Sequence, residues 1–75
     1  MAIHGKLTKR LGKVLREARL KAQMTQEGLA FAAGVHPTYI SQVERGIIAP
    51  TTDRLEQLAK ALGVPASTLI RRAEP

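Results

Sequence analysis

An all-α fold, a compact arrangement of five helices, is predicted by three features of the 75-residue sequence. Apolar residues recur at helical spacing in the longer segments, no run alternates apolar with polar, and Gly, Pro and Thr stand at intervals that suit helix ends. At this length the chain is expected to form one domain spanning residues 1–75, with a modest core.

The first helix is expected over Leu7 to Gln23. Leu7, Leu11, Val14, Leu15, Ala18 and Ala22 fall in one arc of roughly 100°, and Lys6, Lys9, Arg10, Lys13, Arg16 and Lys21 lie opposite. Arg19 sits at the edge of the apolar arc, where a cation needs a partner. Thr25 caps a second helix through its hydroxyl, and Gln26 and Glu27 follow in its first turn. That helix runs to about Ala33 and ends at Gly34, with Val35 buried in the connection. Pro37 suits the first turn of a third helix because its missing N–H would be unpaired there. The third helix runs to about Arg45 and stops at Gly46; a short loop, Ile47 to Pro50, follows. Thr51 caps a fourth helix with Leu55, Leu58, Ala59 and Leu62 on one face, and Gly63 ends it. Pro65 opens a short fifth helix carrying Leu69 and Ile70.

Charge narrows the function. The net charge is +6, and its placement is uneven. Residues 1–24 hold seven Lys and Arg against Glu17 alone, whereas residues 25–75 balance five basic against five acidic side chains. A basic segment attracts a polyanion, either nucleic acid or an anionic membrane surface; the plainer alternative is a solvated helix face that aids solubility. The membrane reading fails, because the basic face has no Trp or Phe for an interface and the core needs the apolar face. No apolar run is long enough to span a bilayer, and Met1 to Arg10 lacks the apolar stretch of a secretory signal, so a cytoplasmic location is expected.

Several chemistries are excluded. The chain has no cysteine, and its histidines, His4 and His36, stand far apart with no carboxylate at ligand spacing. No metal site or cofactor is expected. No paired carboxylates, no Ser–His–Asp set and no Gly-rich phosphate loop are present, so the chain does not read as an enzyme. No small-molecule effector pocket is expected.

The stretch from about residue 25 to 45 carries the strongest pattern: two short helices joined by a tight turn, a helix-turn-helix. Ala30 is small where the third helix crosses close, and Gly34 accepts positive φ in the turn. Leu29, Ala33, Val35, Ile40 and Val43 supply the apolar contacts that fix the crossing.

Met24-Thr25-Gln26-Glu27-Gly28-Leu29-Ala30, then Gly34-Val35, Tyr39 to Gly46, Pro50, and Leu58 to Val64 together resemble the lambda-repressor-like (Cro and Xre type) helix-turn-helix family, without gaps, over about residues 7–70. Within it, His36-Pro37-Thr38-Tyr39-Ile40-Ser41 followed by Glu44-Arg45-Gly46 looks like the short restriction–modification controllers. The resemblance implies an operator-binding transcriptional regulator that docks on double-stranded DNA as a homodimer. An antitoxin-type interaction module that also touches DNA is the alternative, although Arg71 to Pro75 is short for a toxin-binding tail.

On this resemblance the third helix enters the major groove. His36, Pro37, Thr38, Tyr39, Ser41 and Gln42 then stand at its DNA-facing start. Gln42 suits bidentate pairing with adenine, and Thr38 suits a hydrogen bond plus a thymine methyl contact. Gln26 and Arg45 are expected on phosphates. Arg19 and Glu44 resemble the family's structural ion pair. The dimer region is expected at about 52–72, through Val64, Leu69 and Ile70, with Ile47 and Ile48 as added contacts. Three departures stand out. Pro37 replaces a frequent Arg, Ile47-Ile48-Ala49 replaces frequent cations, and Gly28 replaces a better helix former. Phe31 is expected to pack despite its nominally outer position, with an exposed patch for a partner as the alternative.

Overall fold

A computed structural model describes residues 5–75; His4 and the residues before it lie outside this range. Five helices follow in order: α1 (Lys6–Lys21), α2 (Gln26–Ala33), α3 (Pro37–Glu44), α4 (Thr52–Leu62) and α5 (Ala66–Ala73). No strand is present among the described residues. α1 packs on α3 and α5, α2 on α3 and α4, and α4 on α5, so the helices close around one interior.

Side-chain caps start three of them. Thr25 Oγ1 accepts from the Gly28 N–H at 2.9 Å, and Thr51 Oγ1 accepts from the Arg54 N–H at 3.2 Å. His36 does the same for α3, its Nδ1 accepting from the Thr38 N–H at 3.0 Å. Each cap satisfies a donor that has no partner within its helix.

The helix ends share one device. Beyond α2, α3 and α4 a glycine with φ of +72°, +74° or +75° turns the chain left-handed. The next N–H then reaches back five residues: Val35 to the Ala30 carbonyl, Ile47 to Gln42 and Val64 to Ala59. α1 ends the same way, with the Met24 N–H on the Arg19 carbonyl at 3.1 Å, but Gln23 takes the left-handed position at φ +58°. The first helix therefore stops at Lys21, two residues short of its expected end.

Leu15, Leu29, Ile40, Leu58 and Leu69 form the centre of the core and are fully buried. Each contributes about 1.5–3 kcal/mol through removal of its side chain from water. The apolar arc of α1 is used only in part. Val14, Leu15 and Ala18 are buried and Leu11 is half-buried, but Leu7 and Ala22 overhang the interior and are exposed. Val35 is half-buried rather than buried.

Two further expectations need correction. Phe31 does not pack: it is 91% exposed, because α2 turns Leu29, Ala30 and Ala33 toward the core and Phe31 outward. Leu69 is no interface residue: at 0% exposure it belongs wholly to the chain's own core.

Candidate nucleic-acid interface

The interface is built on α3, an eight-residue helix with two distinct faces. Ile40, Val43 and Glu44 are buried and lock one face to the core. Thr38 and Arg45 are exposed and Ser41 and Gln42 half-buried on the other. Thr38 and Gln42 are one turn apart, so they stand above one another on that face. Pro37 lies in the first turn, where it presents only carbon atoms. His36 spends Nδ1 on the cap, which leaves Nε2 as its free polar atom. Arg45 follows the last turn and is exposed.

A buried ion pair fixes the angle of α3. Arg19 Nε donates to Glu44 Oε2 at 2.7 Å and Nη2 donates to Oε1 at 3.1 Å, a two-pronged contact with the two residues 7% and 8% exposed. The third prong, Nη1, donates to the Met24 carbonyl at 2.8 Å. One guanidinium thus ties α1 to α3 and to the turn that leads into α2. Its hydrogen bond to Glu44 raises the Arg19 pKa and burial opposes this, so the side chain stays charged. Gln26 joins the same group, with Nε2 donating to Glu44 Oε1 at 3.1 Å. The amide at the start of α2 is thereby oriented by a residue of α3. No buried side-chain polar atom among the described residues lacks a partner.

The rest of the basic face divides. Lys6, Lys9, Lys13, Arg16 and Lys21 are exposed as expected. Arg10 differs from these: it is half-buried, and its Nε donates to the carbonyl of Ala73, which ties the side chain to the end of α5. Lys9 lies against Gly46, the residue after Arg45, which places a second cation near the end of α3.

The expected dimer residues do not form one surface. Ile70 is 41% exposed and lines a groove with Leu7, Leu11, Ala49, Pro50 and Leu55. Val64 lines a different groove, with Ala18, Lys21, Leu62 and Arg72. Among the described residues no group of His, Asp and Glu is placed to hold a metal ion, and no helix is long and apolar enough to cross a membrane.

Two features escaped the sequence. Gly12 is buried where α1 crosses α3, which a mid-helix glycine does signal. Arg54, from the first turn of α4, stands 6.0 Å from the centre of the Tyr39 ring, and no local pattern announces that approach.

Two short helices crossing over a small residue, with a glycine turn between them and a polar outer face on the second, define a helix-turn-helix domain. Residues 15–69 match the helix-turn-helix family model, and the chain belongs to that family, in its Cro/Xre-type branch. The control protein C.BamHI of Bacillus amyloliquefaciens is 45% identical over 60 residues, which span 79% of this chain and 74% of that protein. Among solved structures, the clp gene regulator ClgR of Corynebacterium glutamicum matches with a TM-score of 0.88 and 32% identity, over 97% of this chain and 94% of that one. The restriction-modification controller protein C.AhdI of Aeromonas hydrophila matches with a TM-score of 0.81 and 34% identity, over 83% and 94%.

Proposed function

We propose that this chain is a DNA-binding transcriptional regulator of the short controller type. It works on cytoplasmic DNA as a homodimer and lays α3 of each protomer in the major groove. The observation that carries this reading is the two-faced α3, with Ile40, Val43 and Glu44 held in the core and Thr38, Ser41, Gln42 and Arg45 left to the outside. Such a helix presents its first residues to base edges. Thr38 and Gln42 read bases, Tyr39 contacts a sugar or a thymine methyl, and His36 and Pro37 close against the backbone. Gln26 and Arg45 hold phosphates. The exposed Leu7 and Ile70, which share one groove, supply apolar surface for a twofold contact between protomers. The names of the relatives, a control protein, a gene regulator and a restriction-modification controller, support regulation rather than catalysis.

Selection from random duplexes, followed by binding measurements on the preferred site, tests the reading. Gln42→Ala is expected to weaken the preferred site by about 1–3 kcal/mol and relax one base pair per half-site, with little change on random duplex. Gln26→Ala and Arg45→Ala are expected to weaken both duplexes by similar factors. Equal loss on all sequences for Gln42→Ala would move the readout to Thr38 and Tyr39. A monomer in sedimentation, free and on DNA alike, would remove the dimer.

A further inference from the structure

From Ala22 to Asp53 the only Lys or Arg is Arg45, so the stretch holding α2, the turn and α3 supplies one cation for phosphates. Arg45 stands at the end of α3 that faces away from the turn. At the other end, Gly34, Val35, His36, Pro37 and Tyr39 line an open cleft and contribute no Lys or Arg. The sixth residue of that cleft is Arg54, delivered by α4.

Arg54 is exposed, and among the described residues no carboxylate lies within ion-pair distance of it. Its guanidinium nevertheless has neutral partners: Nη1 donates to Gln57 Oε1 at 3.0 Å, and the cation stands 6.0 Å from the Tyr39 ring centre. A charge held in place by neutral groups keeps its full attraction for an anion and loses less freedom on meeting one. A duplex that receives the start of α3 in its groove brings the phosphates of the groove rim to this cleft.

We propose that Arg54 is a further DNA-binding residue, which holds a backbone phosphate beside the start of α3 while its contact with Tyr39 sets that ring against the groove. The proposal rests on the DNA-binding reading above. The guanidinium takes the phosphate through paired N–H donors and adds no sequence preference of its own.

The test is the salt dependence of duplex affinity for the full chain, followed by fluorescence anisotropy on a preferred and a random duplex. Arg54→Ala is expected to weaken both duplexes by similar factors and to reduce the slope of log affinity against log salt by about 0.9 for each protomer bound. Arg54→Lys keeps the charge and loses the paired geometry, so it is expected to restore the slope with only partial affinity. Thermal denaturation of each variant reports any loss of fold. An unchanged slope in a folded Arg54→Ala overturns the proposal, whatever happens to sequence preference, because Arg54 then acts only on Tyr39. If the unaltered chain itself shows no salt-dependent duplex binding, the DNA-binding reading falls first and this assignment falls with it.

Discussion

Gly12 and Glu44 meet backbone to backbone: a Cβ on Gly12 would lie 2.8 Å from the carbonyl oxygen of Glu44 and would also strike that of Val43. α1 crosses the last turn of α3 at this point, and the missing side chain sets how near the two helices come. Gly12→Ala gains about 1 kcal/mol of helix propensity. The clash is with main chain, which cannot swing away, and overpacking of this kind typically costs about 1–3 kcal/mol or more. The expected net outcome is a lower melting temperature and weaker duplex binding, as α3 is pushed off α1. A variant that melts higher than the parent would contradict this contact.

The Arg19–Glu44 pair sits on the same crossing, and its loss is expected to be expensive. Arg19→Ala leaves a carboxylate that is 8% exposed without its cation and releases the Met24 carbonyl. Breaking one side of a buried pair costs about 3–5 kcal/mol, more than the intact pair contributes. Lys13→Ala removes an exposed cation of the same helix and is expected to stay within about 0.5 kcal/mol. Urea denaturation of the two variants checks the contrast; equal midpoints would sink it.

Gln23 is the one non-glycine residue in the left-handed region among the described residues, at φ +58°. It occupies the position that Gly34, Gly46 and Gly63 fill after the other helices. A side chain there opposes the conformation by about 1 kcal/mol, while glycine gives back part of this through the freedom it gains unfolded. Gln23→Gly is expected to raise stability by about 0.5 kcal/mol, read as a higher urea midpoint at unchanged slope. A lower midpoint would mean that the Gln23 side chain does more than tolerate its backbone.

The sequence was legible at some helix ends and not at others. The starts of α2 and α4 and the ends of α2, α3 and α4 were readable because Thr25, Thr51, Gly34, Gly46 and Gly63 act on their own neighbours. The end of α1 was not, since Gln23 gives no such sign. Facing is harder than spacing. Leu69 and Ile70 are adjacent and both apolar, yet one is fully buried and the other 41% exposed. Their difference is a rotation of about 100° that only the placement of α5 decides. Gln26 on Glu44 and Arg54 on Tyr39 are likewise products of tertiary placement, between residues far apart in the chain.

Phe31 supplies a direct check on that facing. A packed Phe loses about 3–5 kcal/mol when truncated to Ala. At 91% exposure the ring has almost no contacts to lose. Phe31→Ala is therefore expected to leave the melting temperature unchanged within the equivalent of about 0.5 kcal/mol. A large drop would return Phe31 to the core and require α2 to rotate.

Tyr39 offers a spectroscopic test of the cleft at the start of α3. It is the only tyrosine, and there is no tryptophan, so near-ultraviolet difference absorbance follows this phenol alone. Burial pushes its pKa above the ordinary value of 10.0, and the nearby positive charge of Arg54 pulls it part of the way back. In the folded chain the phenol therefore keeps its proton at a pH where the unfolded chain has lost it. The stability this provides is fully present below about pH 10 and is lost as pH rises through the folded value. The folded protein should show a higher titration midpoint than the chain in concentrated urea. Arg54→Ala removes the opposing influence, so its folded midpoint should rise further, at unchanged midpoint in urea. A folded midpoint that falls or stays level in Arg54→Ala would show that the charge of Arg54 does not offset the effect of burial on the ring.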